Sequence, residues 1–344
     1  MQNKLNIQIG IIGFGRFGVL IASVLKKSAN VKVYHYKESD EILEKTKIIG
    51  VELADFKTVA GSDIVIIATP ISKTEKIIKQ AAKYVKDGAL VIDVCSVKIY
   101  PCKWLKKYIP KTVGIMGTHP MFGSITTNFD LKKQKWDLRN KQIVLCPLRI
   151  KKKNLRKVKI FLTDLGLKVI ETLPKNHDKQ NAVTLSLVHF LGRSLWQAGI
   201  RNQEIYTPGF SDLLKIYRHT TGDSWDLFYD MNNYNPYAKK IREKFFSGCD
   251  FIEEKIEKAA APNDFQFVRN MIDNIDDKII KLMNERFKYV DQMGKIKKKI
   301  GMRVIDKKRE DEIIKGKITQ SNFSPNFIKK LYKLIFSEAY KKEA

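Results

Sequence analysis

The sequence predicts an α/β domain with a doubly wound, mostly parallel sheet, followed by two all-α domains. Up to residue 172, short apolar runs typical of buried strands alternate with amphipathic helical segments. Beyond that point only helical patterns occur, and Pro262 interrupts them ahead of a new helix start. At 344 residues the chain can hold two or three domains, and the predicted boundaries are 1–172, 173–262 and 263–344.

The first element is an apolar strand that runs into a glycine-rich turn. Residues 7–18 read Ile-Gln-Ile-Gly-Ile-Ile-Gly-Phe-Gly-Arg-Phe-Gly, and a helix over 19–27 and a strand over 31–36 follow. Glycines at these positions allow a tight turn and let a pyrophosphate approach the helix N-terminus. This order of elements predicts a Rossmann-type dinucleotide site, with cofactor contacts from Gly13, Phe14, Gly15, Arg16, Phe17, Gly18 and Thr69.

The end of the second strand bears on the choice of cofactor. An NAD site usually places Asp or Glu there to hold the ribose hydroxyls, but this chain has His35-Tyr36-Lys37 and no acid before Glu38. A cation in this position favours a 2′-phosphate, so Tyr36 and Lys37 predict NADP, with NAD as the alternative. Lys37 is also compatible with an ordinary surface lysine in a lysine-rich protein.

Polar side chains follow two of the later strands. Strands are predicted over 63–68, 89–94 and 112–116, and a helix and strand over 154–170 close the domain. Ligands of such sheets bind at the carboxyl ends of the strands, where Cys-Ser-Val-Lys begins at residue 95 and Gly-Thr-His-Pro-Met-Phe-Gly at residue 117. Ser96 and His119 are therefore candidate site residues, although a single histidine after a strand is often structural.

Several motifs in order give this part of the chain a family resemblance. His119-Pro-Met-Phe-Gly with Ser96 on a neighbouring strand, His177-Asp178, and His189-Phe-x-x-Arg193 resemble the prephenate and arogenate dehydrogenases of tyrosine synthesis, over about residues 5–260. The run Gly-Asp-Ser-Trp-Asp-Leu-Phe-Tyr from residue 222 is similar to that of the plant-type, NADP-using arogenate dehydrogenases.

The resemblance implies an oxidative decarboxylation with a defined set of residues. His119 would accept the proton of the ring 4-hydroxyl while hydride leaves that carbon, Ser96 would hydrogen-bond the same hydroxyl, and His189 would bind substrate. Arg193 and Arg218 compete for the substrate carboxylate, and either is compatible with a helix-surface charge. The middle domain, 173–262, would form a dimer.

Asp223 bears on the substrate. Prephenate is expected, because a fused mutase would supply it, and arogenate is the alternative. The Asp223 carboxylate could pair with the ammonium of arogenate and would repel prephenate. The same residue is also compatible with a helix N-cap ahead of Trp225.

The last domain is predicted from charges that lie on an apolar helix face. A helix over 265–300 carries apolar residues at steps of three and four, indicating a core-facing stripe: Val268, Ile272, Ile275, Ile279, Leu282, Val290 and Met293. Arg286 and Lys297, eleven residues apart, fall on this stripe, where a cation is costly unless an anion meets it. A short second helix carries Asp306, Arg309 and Glu310, and a third begins at Ser324-Pro325.

This constellation resembles the all-helical chorismate mutases over residues 263–344, a family in which three helices form an intertwined dimer. The resemblance implies these roles: Arg269 (from the partner) and Arg286 clamp the carboxylates, Lys297 and Glu343 face the ether oxygen, Asp306 and Glu310 hold the ring hydroxyl, and Arg309 supports them. Taken singly, Asp306 is also typical of an N-cap, and Arg309 and Lys297 of surface residues.

Composition limits the other function classes. The basic residues behind the net charge of +27 are scattered and no aromatic-basic module accompanies them, so no nucleic-acid partner is expected. The rival hypothesis is a cofactor-sensing regulator that binds nucleic acid. Such a protein would bind DNA in a salt-sensitive way and would leave chorismate unchanged. The 4 cysteines lack metal-ligand spacing, no metal is expected, and a reducing cytoplasm fits. Neither a membrane span nor a signal peptide is indicated, so the expected partners are chorismate, prephenate or arogenate and a second copy of the chain.

Overall fold

The computed structural model describes residues 6–124, 126–259, 265–302 and 305–343, with backbone only for 258, 259, 342 and 343. Two compact units are present, 1–248 and 249–344, and each is described by itself. The sheet and the helices up to Gly248 belong to one unit. The boundaries at 172 and 262 therefore remain sequence-based predictions.

Within the described residues, the first unit contains one 8-stranded sheet with the order β3-β2-β1-β4-β5-β6-β7-β8. Its strands are β1 (Gln8–Ile12), β2 (Asn30–Tyr34), β3 (Glu52–Leu53), β4 (Ile64–Ile67), β5 (Leu90–Asp93), β6 (Gly114–Pro120), β7 (Gln142–Arg149) and β8 (Lys168–Glu171). The chain reverses direction across the sheet between β1 and β4, which is the switch point where α/β folds bind their ligands. The predicted α/β architecture is confirmed.

Strand β6 is longer than the sequence predicts. It pairs in parallel with β5 only as far as Gly117, but antiparallel pairing with β7 carries it on to Pro120. His119 therefore lies inside a strand, opposite Val144, and the prediction that the strand ends at Met116 is wrong. Because β5 has already ended, the last residues of β6 still project beyond the carboxyl edge of the parallel sheet.

Helices cover both faces of the sheet. The helices of the first unit are α1 (Arg16–Leu25), α2 (Asp40–Ile49), α3 (Phe56–Ala60), α4 (Ile71–Ala81), α5 (Ile99–Tyr108), α6 (Lys152–Asp164), α7 (Pro174–Asn181), a π-helix (Ala182–Leu187), α8 (Val188–Gln197), α9 (Pro208–Thr221), α10 (Trp225–Asn233) and α11 (Ala238–Ala259), which runs on into the second unit. Successive side chains of β4 lie on opposite faces of the sheet, and Ile66 belongs to one apolar cluster while Ile67 belongs to another. The sheet therefore has a core on each side.

The π-helix lies between α7 and α8 and keeps the buried polar side chains of these three segments on one face. Asp178 and Asn181 on α7 and His189 and Arg193 on α8 are all buried, and so is Ser186 between them. Asn181 and Ser186 are five residues apart, which matches the i→i+5 spacing of a π turn. A regular α-helix would instead bring Leu185 to this face.

After the end of α11, the second unit contains α12 (Phe265–Ile300), α13 (Lys307–Gln320) and α14 (Pro325–Glu343). The predicted long helix and the predicted N-cap of the third helix are confirmed, since Ser324 Oγ accepts the Phe327 N–H at 3.2 Å. Helix α14 packs against both α12 and α13.

Among the described residues, most of the apolar stripe of α12 is exposed. Val268, Ile275 and Leu282 are 47%, 51% and 64% exposed. The prediction of a core-facing stripe is therefore wrong for the chain on its own, because the intrachain packing leaves this face open. Among the described residues, no helix is both long and apolar enough to cross a membrane.

Candidate functional site

The glycine turn after β1 forms an open cradle at the start of α1. Gly13 has φ +107°, and a Cβ there would lie 2.3 Å from the Ala68 carbonyl oxygen; a Cβ on Gly18 would lie 2.0 Å from the Gly13 carbonyl oxygen. At Gly15, by contrast, a Cβ would meet nothing within 4 Å. Gly15 caps α1 without a side-chain hydrogen bond, so the helix N–H groups face open space that fits a pyrophosphate.

The side chains around this cradle fit a dinucleotide. Phe14 is buried and Phe17 half-buried, and Arg16 donates from Nη1 to the Gly222 carbonyl oxygen at 3.0 Å. Thr69 Oγ1 lies 3.2 Å from Thr74 Oγ1. Beyond β2, Tyr36 is 82% exposed and Lys37 is also exposed, so both are accessible to a ligand.

His119 is held by a buried chain of side chains. Its Nδ1 lies 2.9 Å from Nε2 of His177, and His177 Nδ1 lies 2.7 Å from Oδ1 of Asp178. Asp178 in turn accepts the main-chain N–H of Lys98 on Oδ1 at 2.7 Å and that of Ile99 on Oδ2 at 2.8 Å. The sequence motifs include His177-Asp178, but sequence reasoning gave these residues no role.

A buried ion pair lies beneath His119. The Lys98 ammonium donates to Asp93 Oδ1 and, at 2.6 Å, to the Thr118 carbonyl oxygen, and both charged side chains are fully buried. Burial is the largest single effect and opposes the charge, but Asp93 together with the neighbouring Cys95 and Cys102 raises the pKa of Lys98. Burial lowers the pKa of His119 well below its usual value, and His177 and Lys98 lower it further. His119 is therefore neutral and able to act as a base.

Two buried polar atoms without a hydrogen-bond partner in the described structure lie next to the hydrogen-bonded side chains of His119, His177 and Asp178. Ser96 Oγ has no hydrogen-bond partner in the described part of the structure, and neither has Asn181 Oδ1. Asn181 Nδ2 donates to the Ser96 carbonyl oxygen at 2.6 Å, which links the loop after β5 to α7. Unpaired buried polar groups are costly, so these atoms are typical of a ligand site.

Helix α8 and the turn before α10 form another polar cluster. Nε2 of His189 lies 3.9 Å from Oδ2 of Asp223, and burial lowers the pKa of His189 while Asp223 opposes the shift. Arg193 donates to the carbonyl oxygens of Asp223 (2.6 Å) and Ser224 (3.2 Å). Its guanidinium also lies 4.3 Å from the centroid of the Trp225 ring. Arg193 thus orders this turn, and its Nε has no partner among the described atoms.

The alternative reading of Asp223 as a helix cap is wrong. Ser224 caps α10 by accepting the Leu227 N–H at 3.2 Å, because the helix begins one residue later than that reading requires. The Asp223 carboxylate is free of this role and keeps 30% exposure. Arg218, the other candidate for a substrate carboxylate, is exposed and donates to Asn202 Oδ1 at 3.3 Å.

In the second unit, the cations of the α12 stripe are only half exposed. Arg286 and Lys297 are half-buried, and Arg286 Nη1 is buried with no hydrogen-bond partner in the described chain. Glu310 on α13 is also half-buried. An unpaired buried guanidinium nitrogen is costly, so this atom is typical of an anion-binding position.

The remaining predicted residues of this unit are placed differently. Asp306 caps α13 by accepting the Arg309 N–H at 3.0 Å, and the exposed Arg309 side chain pairs with Glu312 at 3.2 Å rather than with Asp306 or Glu310. Support of those two carboxylates by the Arg309 side chain when substrate is bound stays a prediction. Arg269 is exposed on α12, and the side chain of Glu343 lies outside the described residues.

Three family models match separate stretches of the chain. Residues 21–171 match the model of the prephenate dehydrogenase nucleotide-binding domain, a match that begins just after the glycine turn. Residues 194–264 match a model described as the TYRAAT1-like C-terminal domain. Residues 268–344 match chorismate mutase type II.

Curated relatives match about three quarters of the chain. A probable arogenate/prephenate dehydrogenase of Methanocaldococcus jannaschii is 30% identical over 270 residues, covering 75% of this chain and 58% of that protein. The chloroplastic arogenate dehydrogenase 1 of Arabidopsis thaliana is 31% identical over 259 residues, covering 73% of this chain and 39% of that protein. The chain thus spans about half the length of these relatives.

Solved structures share the fold. The prephenate dehydrogenase of A. aeolicus, in complex with hydroxyphenyl propionate and NAD+, has a TM-score of 0.61 at 21% identity and covers 82% of this chain and 100% of its own. The arogenate dehydrogenase of Synechocystis has a TM-score of 0.56 at 19% identity, with coverages of 79% and 100%.

The fold combines a Rossmann-type domain, in which a buried histidine lies at the carboxyl edge of the sheet, with a three-helix domain that carries two half-buried cations. Residues 21–171 are similar to the nucleotide-binding domain of prephenate dehydrogenases, and residues 268–344 are similar to type II chorismate mutases.

Proposed function

We propose that this chain catalyses two successive reactions: chorismate to prephenate in the second unit, and the NADP-dependent oxidative decarboxylation of prephenate to 4-hydroxyphenylpyruvate in the first. The observation that carries the proposal is the buried His119, which is held by His177 and lies on the strand next to the loop that carries the buried, unpaired Ser96 Oγ. A base and a free hydroxyl at the carboxyl edge of a nucleotide-binding sheet fit the oxidation of a ring alcohol.

In the dehydrogenase site, a bound nicotinamide ring supplies the hydride acceptor. His119 takes the proton of the substrate 4-hydroxyl, which it can do because its lowered pKa keeps it neutral. Ser96 Oγ hydrogen-bonds the same hydroxyl, and His189 contacts the substrate from α8. Loss of the ring carboxylate as CO2 makes the ring aromatic, which drives the reaction.

The mutase site needs no acid, base or nucleophile, because the rearrangement of chorismate is pericyclic. Arg286 holds a substrate carboxylate through the nitrogen that has no partner within the described chain. Lys297 stabilises the negative charge that develops on the ether oxygen. Asp306 and Glu310 hold the ring hydroxyl, Arg309 supports them, and Glu343 assists at the ether oxygen.

A second copy of the chain completes the mutase site in this proposal. The open stripe of α12 exposes apolar residues over several turns, and burying it against a partner helix would remove that surface from water. Arg269, which is exposed, would reach the partner's site. The helices of residues 173–262 would contribute a further dimer contact.

A specific observation favours arogenate as the second candidate substrate. The Asp223 carboxylate does not cap a helix, and Arg193 fixes the backbone on both sides of it. It lies beside His189, where it could pair with a side-chain ammonium. One guanidinium nitrogen of Arg193 already donates to two carbonyl oxygens. Arg193 and Arg218 therefore both remain candidates for binding the substrate carboxylate.

Lys37 supports NADP over NAD. Its exposed side chain lies beyond β2, where no acid precedes Glu38. A charge-assisted contact with a 2′-phosphate contributes about 1.5–3 kcal/mol. Lys37→Asp should therefore weaken NADP more than NAD, and a wild-type kcat/KM that favours NAD would contradict this choice.

The test of the proposed function is a matrix of assays on the purified chain. Chorismate, prephenate and arogenate are each supplied with NAD or NADP, and substrate loss and cofactor reduction are followed separately. We expect chorismate turnover without cofactor and NADP reduction with prephenate. Salt-sensitive DNA binding without turnover of any of the three acids would support the regulator instead.

A further inference from the structure

We propose that His177 and Asp178 form, with His119, a buried proton store: His177 fixes which nitrogen of His119 is the base, takes up the proton during the oxidation, and returns it. The inference rests on the proposed dehydrogenase function and assigns roles to two residues that the mechanism above leaves unused. Its basis is a series of hydrogen bonds from His119 on β6 through His177 and Asp178 on α7 to the main chain at the start of α5.

The direction of each hydrogen bond follows from Asp178. Its two oxygens accept main-chain N–H groups of Lys98 and Ile99, so the carboxylate is an acceptor and the ring nitrogen facing it, His177 Nδ1, is the donor. In a neutral His177, Nε2 must then be an acceptor. His119 Nδ1 lies 2.9 Å from that atom and must carry the hydrogen.

This arrangement leaves His119 Nε2 with the free lone pair. A histidine in the opposite tautomer would place its N–H where the base is needed, and two acceptor nitrogens would face each other at 2.9 Å inside the protein. The chain through His177 therefore selects the one neutral form of His119 that can accept the proton of the substrate hydroxyl.

The proton balance of the reaction explains why a store is needed. As the hydride leaves C4 for the nicotinamide ring, the O–H bond breaks and the proton goes to His119 Nε2. The Nδ1–H proton of His119 then moves to His177 Nε2. When the bond to the carboxylate breaks, its electron pair enters the ring and the phenolate oxygen takes a proton back from His119, while His177 returns its own. No net proton is released.

The surroundings favour holding the positive charge on His177. The Lys98 ammonium disfavours a second cation on His119, whereas the Asp178 carboxylate contacts His177 directly. The series of hydrogen bonds ends on Asp178, which is fully buried. A buried end is expected if the proton is stored and then returned. Asn235 Nδ2 donates to the Asp178 carbonyl oxygen at 2.9 Å, which fixes this end of the chain.

The test compares two substitutions of His177. His177→Leu removes both the acceptor and the proton site, whereas His177→Gln offers an acceptor oxygen to His119 Nδ1–H but cannot take up a proton. Lys179→Ala is the matched control, since Lys179 is exposed on the same helix. Chorismate turnover by the second unit and thermal melts check that each variant is folded.

Two readouts are needed, one of them independent of turnover. Nitrogen-15 NMR of the cofactor-free protein should show His119 protonated at Nδ1 in wild type and in His177→Gln, and a mixture of tautomers in His177→Leu. With prephenate and NADP, we expect kcat to fall about 10²–10⁴-fold in His177→Leu and at least about tenfold in His177→Gln, with KM within about twofold.

Each contrary outcome is decisive. A wild-type kcat in His177→Leu, or the opposite tautomer of His119 in the NMR spectrum, would overturn the proposal. A wild-type kcat in His177→Gln would overturn proton uptake by His177. If wild-type protein oxidises neither prephenate nor arogenate, the proposed function fails, while the NMR spectrum still tests the hydrogen-bond chain.

Discussion

Gly15 and Gly18 occupy the same turn but should respond oppositely to the same substitution. In Gly15→Ala the new methyl group enters the open cradle, where nothing lies within 4 Å, and φ −77° is unstrained for alanine. The free energy of unfolding should fall by no more than about 1 kcal/mol, the usual cost of alanine at an N-cap. The methyl group occupies the space proposed for the pyrophosphate, however, and overpacking costs about 1–3 kcal/mol, or roughly 5–150-fold in cofactor affinity.

In Gly18→Ala the methyl group would lie 2.0 Å from the Gly13 carbonyl oxygen, which is backbone and cannot rotate away. Alanine gains at most about 1 kcal/mol of helix propensity, so the clash dominates and the unfolding midpoint should fall by several degrees. Thermal melts of the free protein and calorimetric titration with NADPH measure both effects. A Gly15→Ala variant destabilised by well over about 1 kcal/mol, or one that binds NADPH as wild type does, would refute this description of the cradle.

Three further predictions address the other parts of the chain. Lys297→Ala should lower chorismate turnover about 10²–10³-fold while leaving prephenate oxidation unchanged, as separate assays will show. Asp223→Asn should raise kcat/KM for prephenate and lower it for arogenate, and an unchanged ratio would remove Asp223 from substrate selection. Because burial lowers the pKa of His119 and His189, the unfolded chain binds more protons than the folded chain below about pH 6.5. The free energy of unfolding should therefore fall below that pH, by up to about 1.4 kcal/mol per pH unit for each histidine. His119→Gln should reduce this dependence on pH when the free energy of unfolding is measured by urea titration.

The features that the sequence predicted well depend on local pattern. The glycine turn requires glycine for steric reasons that adjacent residues create, and the long helix α12 has a strong 3.6-residue period. The N-caps at Ser324 and Asp306 follow from a side chain and an N–H three residues away. Such signals lie within one or two turns of chain and can be read without knowledge of the fold.

The features that it missed depend on contacts between distant segments. Strand β7 pairs antiparallel with β6 and extends it through His119, and nothing near residue 119 indicates that partner. The bond between His119 and His177 joins residues 58 positions apart. The π turn over Ala182–Leu187 changes the helical period, so a regular period would not align Asn181 with His189.

The exposed stripe of α12 has a related cause. Its period predicts a buried face, but the sequence cannot say whether the covering residues come from the same chain. Arg269 likewise shows no contact that would explain it within the described single chain.

The most direct test of two linked active sites on one chain is NADP reduction with chorismate as the only substrate. We expect NADPH to appear after a lag, while prephenate accumulates, and His119→Gln to turn over chorismate at the wild-type rate without forming NADPH. Chorismate turnover without any NADPH in the wild-type protein would contradict the oxidation of prephenate, and the absence of chorismate turnover would contradict the mutase site.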